Sequence, residues 1–190
     1  MRRLTAAAGF LLLLSAPLAA TEMAAPSPYQ ATLVANFDYA AGHLIELAEA
    51  IPADTYGWRP AEGVRSVSEV FMHVASANLL LPPGMGVAPM EGLVIPENPF
   101  ELAGKWEAEV TAKDAVIAKL RESIAYARSA IESFPDDRLD EEVNVIGMPM
   151  SCRAMLLVVL SHNHEHLGQA IAYARSNGVV PPWSRKESEE

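Results

Sequence analysis

Prolines cut this chain into a few long pieces, and inside four of them apolar residues recur every three or four positions, the repeat of one face of an α-helix. In the first piece Leu33, Phe37, Ala40, Leu44 and Leu47 form one stripe over 28–50, and Pro52 blocks continuation. A non-helical stretch with Trp58, Pro60 and Gly63 follows. The second helix is expected to start at Ser66, whose hydroxyl caps it while Glu69 completes a capping box, and to end before Pro82 and Pro83. From Pro82 to Gly104 prolines and glycines dominate, which predicts a long loop. A third, highly charged helix is expected over 105–134, stopping at Pro135, and a polar joint leads to Pro149. The fourth begins at the cap Ser151 and closes at Asn177 and Gly178, with Pro181 and Pro182 beyond it. Strand signals are nearly absent. These pieces predict an all-α four-helix bundle with a long Pro/Gly-rich loop between helices 2 and 3, one domain over 26–184, and a charged tail at 185–190.

The 190-residue chain opens with Arg2 and Arg3, a short apolar run over 4–14, and small residues at Ala16, Ala19 and Ala20, the layout of a secretory signal peptide over 1–20. Cleavage is expected after Ala20, with Ala25 as the alternative. The apolar run is too short to span a bilayer, so the expectation is a periplasmic or secreted protein with no membrane insertion once the leader is removed. The single cysteine, Cys152, excludes an internal disulfide and reads as a small apolar residue at a helix start. A formal net charge of −10, with basic residues scattered among acids, argues against a nucleic-acid partner.

Three of the five histidines fall within five residues of one another. His162 and His166 are one helical turn apart and can grip one ion together. They lie in the stripe Met155, Val159, His162, His166, Gln169 and Tyr173, which is the buried face of the fourth helix. Imidazoles placed there cost roughly 1–3 kcal/mol each if left without a partner, and a metal ion satisfies them directly. His73, beside Val70, Val74 and Ala77 on the second helix, is the natural third ligand. Three neutral imidazoles leave a coordination position open for water or a substrate. The plainer alternative is that the histidines satisfy one another and water. His164 sits about 200° round the helix from a residue two positions away and is expected to face solvent or support the site from outside. His43 reads as structural.

Trp58-Arg59-Pro60, then Ser66, Glu69-Val70-Phe71-Met72-His73-Val74, and finally His162-Asn163-His164-Glu165-His166-Leu167-Gly168-Gln169 running to Tyr173, Gly178 and Pro181-Pro182, resemble in this order the DinB-like superfamily of metal-binding four-helix bundles. The resemblance covers nearly all of the chain after the leader. It implies an up-down-down-up bundle and metal ligation by His73, His162 and His166, and homodimers are common among such proteins. It departs at Glu165 and Leu167, where members often carry a histidine and an arginine, and in having a leader. Family members include thiol-dependent transferases and a mycothiol-dependent isomerase.

Two functions follow. One is a metal-dependent hydrolase or transferase that activates a water or thiol nucleophile toward an unidentified small-molecule substrate, with Asp38, Glu69 and Tyr173 as candidates for moving a proton, while Glu165 lies about 100° off the site's face. The other is a non-catalytic metal or small-ligand binding protein of the periplasm, with Trp58, Trp106 and the proline-rich loop as a lid. Zinc is the first expectation for the divalent metal ion, and three imidazoles also suit nickel, copper or iron.

Overall fold

The computed structural model describes residues 26–145 and 147–185, so the leader over 1–20 and most of the tail over 185–190 lie outside the described residues. Among the described residues there are five α-helices and one small hairpin, with short 3-10 turns between them: α1 Pro28–Ala50, α2 Val67–Leu80, α3 Pro99–Glu109, α4 Lys113–Ser133, β1 Glu142–Val145, β2 Met148–Ser151 and α5 Cys152–Ser176. Helix α1 packs on α4 and α5, α2 packs on the same two from the opposite side, and α3 lies against α2. Among the described residues no helix is long and apolar enough to cross a membrane.

Helices α1, α2 and α5 start where a serine side chain caps them. At α1 the Ser27 hydroxyl accepts from the Gln30 backbone N–H while the Gln30 side-chain oxygen accepts from the Ser27 N–H, and the Gln30 side-chain NH2 donates to the Phe134 carbonyl. Ser66 and Glu69 make the same reciprocal pair at α2, and Ser151 caps α5. Cys152 is fully buried at the first position of α5, and burial pushes its thiol up from the ordinary range, as fits a packing residue.

The single helix expected over 105–134 is two helices. The chain leaves helical geometry at Val110 and is extended at Ala112, around a β-branched Val110-Thr111 pair that favours helix weakly. The break is held from outside, because the Lys113 ammonium donates to the Glu49 and Ile51 carbonyls at 2.6 and 2.8 Å, capping the end of α1. The expected loop is correspondingly shorter: Asn98 caps α3, Pro99 occupies its first position, and the loop proper ends there. The joint before α5 also differs from expectation, since β1 and β2 pair antiparallel with Val143 opposite Met150 and Val145 opposite Met148. Pro149 spoils the strand pattern in sequence, yet a two-stranded ribbon has only edges, where proline is tolerated. The ribbon is pinned by close approach: a Cβ at Gly84 would stand 2.7 Å from a Val145 methyl.

The core is aliphatic and aromatic, with Phe37, Phe71, Phe134, Leu44, Leu120 and Met155 among its fully buried members. One polar pair interrupts it. Asn163 of α5 donates to the Asn78 side-chain oxygen at 2.8 Å and to the Val159 carbonyl at 2.9 Å, and Asn78 of α2 donates back to Asn163 at 3.3 Å. Each amide is the other's buried partner, so removing one strands the other. Asn163→Ala is expected to lower stability by about 1–3 kcal/mol, and Asn78→Ala by a similar amount. The double variant should lose clearly less than the sum of the two, which urea denaturation in a double-mutant cycle measures.

Candidate metal centre

Helix α2 carries His73 and helix α5 carries His162 and His166, and where the two helices pack the three rings meet with centroids 4.4–4.9 Å apart. One ring nitrogen from each lies within 4.8 Å of the others. The partners of the remaining nitrogens decide which ones converge. His73 Nδ1 lies 2.9 Å from Glu107 Oε1, and a carboxylate only accepts, so Nδ1 bears the proton and Nε2 is left as a bare lone pair. His166 Nδ1 lies 2.8 Å from the Gln169 side-chain oxygen, which fixes its tautomer the same way. Gln169 is held in turn by donating to the Tyr173 hydroxyl at 3.0 Å. His162 Nε2 faces His73 Nε2 at 3.2 Å, while His162 Nδ1 is buried without a hydrogen-bond partner.

Two of the three rings are held neutral. Burial, followed by the neighbouring His166, His73 and Arg65, pushes His162 down to about 3. His73 is also lowered, first by burial and then by Arg65 and His166, against the opposing pull of Glu107. Neutral imidazole is the form that binds metal.

Two cavities are lined by residues of this site or by their hydrogen-bond partners. One, about 210 Å³, is lined by His73 and His162 together with Leu80, Pro99, Phe100, Met148 and other apolar residues. The other, about 640 Å³, is polar and lined by Arg59, Arg65, Glu69, Glu107 and Gln169.

The sequence profile of the DinB superfamily matches residues 36–170, more than two thirds of the chain and all three histidines. This chain belongs to the DinB superfamily. It is 24% identical over 136 residues to the uncharacterized protein YjoA of Bacillus subtilis (strain 168), covering 70% of this chain and 80% of that one. The crystal structure of YjoA superposes with a TM-score of 0.61 at 23% identity, over 83% of this chain and 99% of that one. A DinB-like protein from Bacillus cereus ATCC 10987 gives 0.65 at 17% identity, over 81% and 97%. A variant of a mycothiol-dependent maleylpyruvate isomerase gives 0.61 at 18% identity, over 80% of this chain and 61% of that one. At these identities the structural likenesses establish the DinB-like fold alone.

The residues of this DinB-like chain suit a divalent ion. Two imidazole nitrogens on a tetrahedral zinc, each at about 2.0–2.1 Å, stand about 3.3 Å apart, and His73 Nε2 and His162 Nε2 are 3.2 Å apart. Two lone pairs that close repel unless a proton or a cation lies between them.

Other residues singled out in the sequence lie elsewhere. His43 Nδ1 bonds the Tyr39 carbonyl at 2.7 Å and its ring meets Trp183, so the segment bearing Trp183 folds back on α1. His164 donates to the Asn36 carbonyl at 3.1 Å, outside the triad. Asp38 pairs with Arg128 on the surface, Glu165 is exposed, and Glu69 is occupied by the Ser66 N–H and Arg59. Trp58 stands edge-on to Tyr173, and neither it nor Trp106 lines the apolar cavity, whose outer wall is α3. The residue missed in sequence is Glu107. It sits among the charges of α3 with nothing in its spacing to mark it, and its role arises only when α3 folds across α2.

Glu107 accepts from both His73 and Arg65, the latter at 2.8 Å, and so orients the His73 ring and raises its basicity. Glu107→Gln is expected to weaken metal affinity by about 10–100-fold, measured by competition with a chromogenic chelator. Acid should destabilise the metal-free protein. The unfolded chain takes a proton on His162 near pH 6.5 and the folded chain only near pH 3. Above 6.5 the two states bind equally. As pH falls from 6.5 toward 3 the unfolded state gains the proton, and stability drops by up to about 1.4 kcal/mol per pH unit. Urea denaturation between pH 7 and 4 should show this slope, and His162→Gln should flatten it.

Proposed function

We propose that this protein holds one divalent metal ion, zinc before nickel, copper or iron, on His73, His162 and His166, and that it works as a metal-dependent hydrolase or transferase acting on a small molecule. The observation that carries the reading is the arrangement of the three rings, in which Nδ1 of His73 and of His166 is tied outward and the bare nitrogens turn toward one point. An ion there would act as a Lewis acid, easing loss of a proton from a water or thiol and polarising a carbonyl. Glu107 and Gln169 would keep the rings aimed, and the apolar walls of the smaller cavity would exclude bulk water from the reacting groups.

One observation favours the second reading, a non-catalytic metal or small-ligand binder. The smaller cavity has no carboxylate in its lining, so an acid or base must come from the ligand or from the polar cavity. Export to the periplasm belongs to the same proposal and rests on the arginines and apolar run of the leader. Up-down-down-up helix order and a homodimer belong to it too; they rest on family resemblance, and the long connection between α2 and α4 is compatible with that order.

Elemental analysis of untagged protein should give about one equivalent of a single metal, lost in His73→Ala and His162→Ala and kept in His43→Ala. At free metal 100-fold above Kd the ion adds about 2.7 kcal/mol, so stripping it should lower Tm by roughly 5–10 °C. Wild-type protein that takes up no zinc, nickel or copper would refute the ligand set. Turnover on a panel of esters and thiol-transfer substrates, abolished by His162→Ala, would choose the enzyme over the binder.

A further inference from the structure

The smaller cavity has a composition that metal binding alone does not require. Besides His73, His162 and Ser76, every lining residue is apolar: Ala77, Leu80 and Leu81 from α2 and the turn after it, Pro99, Phe100 and Ala103 from α3, Met148 from β2, and Val158 from α5. Two large members of this wall stand in solvent, Phe100 at 63% exposure and Met148 at 42%. Exposed apolar side chains scattered singly need no explanation, but here they rim one concavity whose floor is two of the three histidines. At about 210 Å³ the space exceeds the 150 Å³ or so of an engineered apolar cavity that stays dry and takes up benzene. The larger polar cleft differs in kind, since Arg59 and Arg65 are already paired there with Glu69 and Glu107.

We propose that the cavity between α2, α3, β2 and α5 is a subsite for a compact apolar group, one aromatic ring or a short alkyl chain, carried by a ligand whose donor end reaches the histidine triad. For the donor end this rests on the metal reading above, and for the apolar end on the cavity alone. The substrate class is therefore aryl or short-chain acyl compounds, and strongly charged or sugar-like groups are disfavoured because nothing in the wall except Ser76 and the two histidines can hydrogen-bond them.

The test has two arms, so that the subsite and the metal can fail separately. In the first, toluene is titrated into the protein without added metal while methyl NMR signals are followed. Leu80, Leu81 and Val158 should shift in wild type and stay still in Ala103→Phe and in Ala77→Phe, two fillings of the cavity from different helices. In the second, zinc-loaded protein is titrated calorimetrically with acetohydroxamate, butanohydroxamate, hexanohydroxamate and benzohydroxamate. Affinity should rise about three- to fourfold per methylene until the cavity is full. Benzohydroxamate should bind at least tenfold tighter than acetohydroxamate, and both gains should vanish in Ala103→Phe. Toluene leaving those methyls unmoved in wild type would overturn the subsite whatever the metal content. So would one bound equivalent of zinc with equal affinity for all four hydroxamates, or a gain that survives both fillings. Failure to bind zinc with toluene still shifting the cavity methyls would sustain the apolar subsite and sink the metal reading instead.

Discussion

The amide pair of Asn78 and Asn163 sets the relation between α2 and α5 on which the histidine cluster depends. Apolar side chains tolerate sliding of one helix along another, because a shifted methyl finds another methyl. Two buried amides do not, since each finds its partner at only one register and an unmade bond costs about 1–3 kcal/mol. Asn163 adjoins His162, and Asn78 lies little more than a turn beyond His73. A slip of one turn, about 5.4 Å, would break both amide bonds. It would also part nitrogens that now stand 3.2 Å from one another.

A second layer of constraint comes from outside the pair of helices. Helix α3 buries none of its residues and packs on α2, so its place owes much to Glu107, which joins it to His73 and Arg65. That one carboxylate orients a candidate ligand and also fastens the wall bearing Pro99, Phe100 and Ala103 against the apolar cavity. The start of α4 is tied independently by Lys113 to the end of α1, which is why a charged run that reads as one helix is two.

What was legible in the sequence divides along the same line. The limits of α1, α2 and α5 are set by Ser27, Ser66, Ser151 and flanking prolines, whose effect is local, and the expected boundaries agree with the structure to within a residue. The break before Lys113 and the hairpin against Gly84 are held by partners more than sixty residues away, and no local pattern encodes them. In the site, the spacing of His162 and His166 within an apolar stripe was readable because one helix carries both. His73 could be placed on a face, and the structure brings it to the other two. Glu107 was invisible for the reason that α3 itself was.

Charge balance at the triad then limits what its fourth partner can be. Depression of His162 and His73 by burial keeps those two rings uncharged near neutrality. Glu107 is already matched by Arg65, and Glu69 by Arg59, so the protein has little negative charge to spare at this point. A dication held by the three rings would therefore keep most of its charge, in surroundings walled on one side by hydrocarbon where an uncompensated charge is costly. The cheapest compensation is a fourth donor that arrives anionic or loses a proton on binding, such as a thiol, a hydroxamic acid or a water. An apolar group on that donor would fill the adjoining cavity and strengthen the interaction further by removing water, so charge and hydrophobic surface at this site select for the same amphipathic kind of molecule.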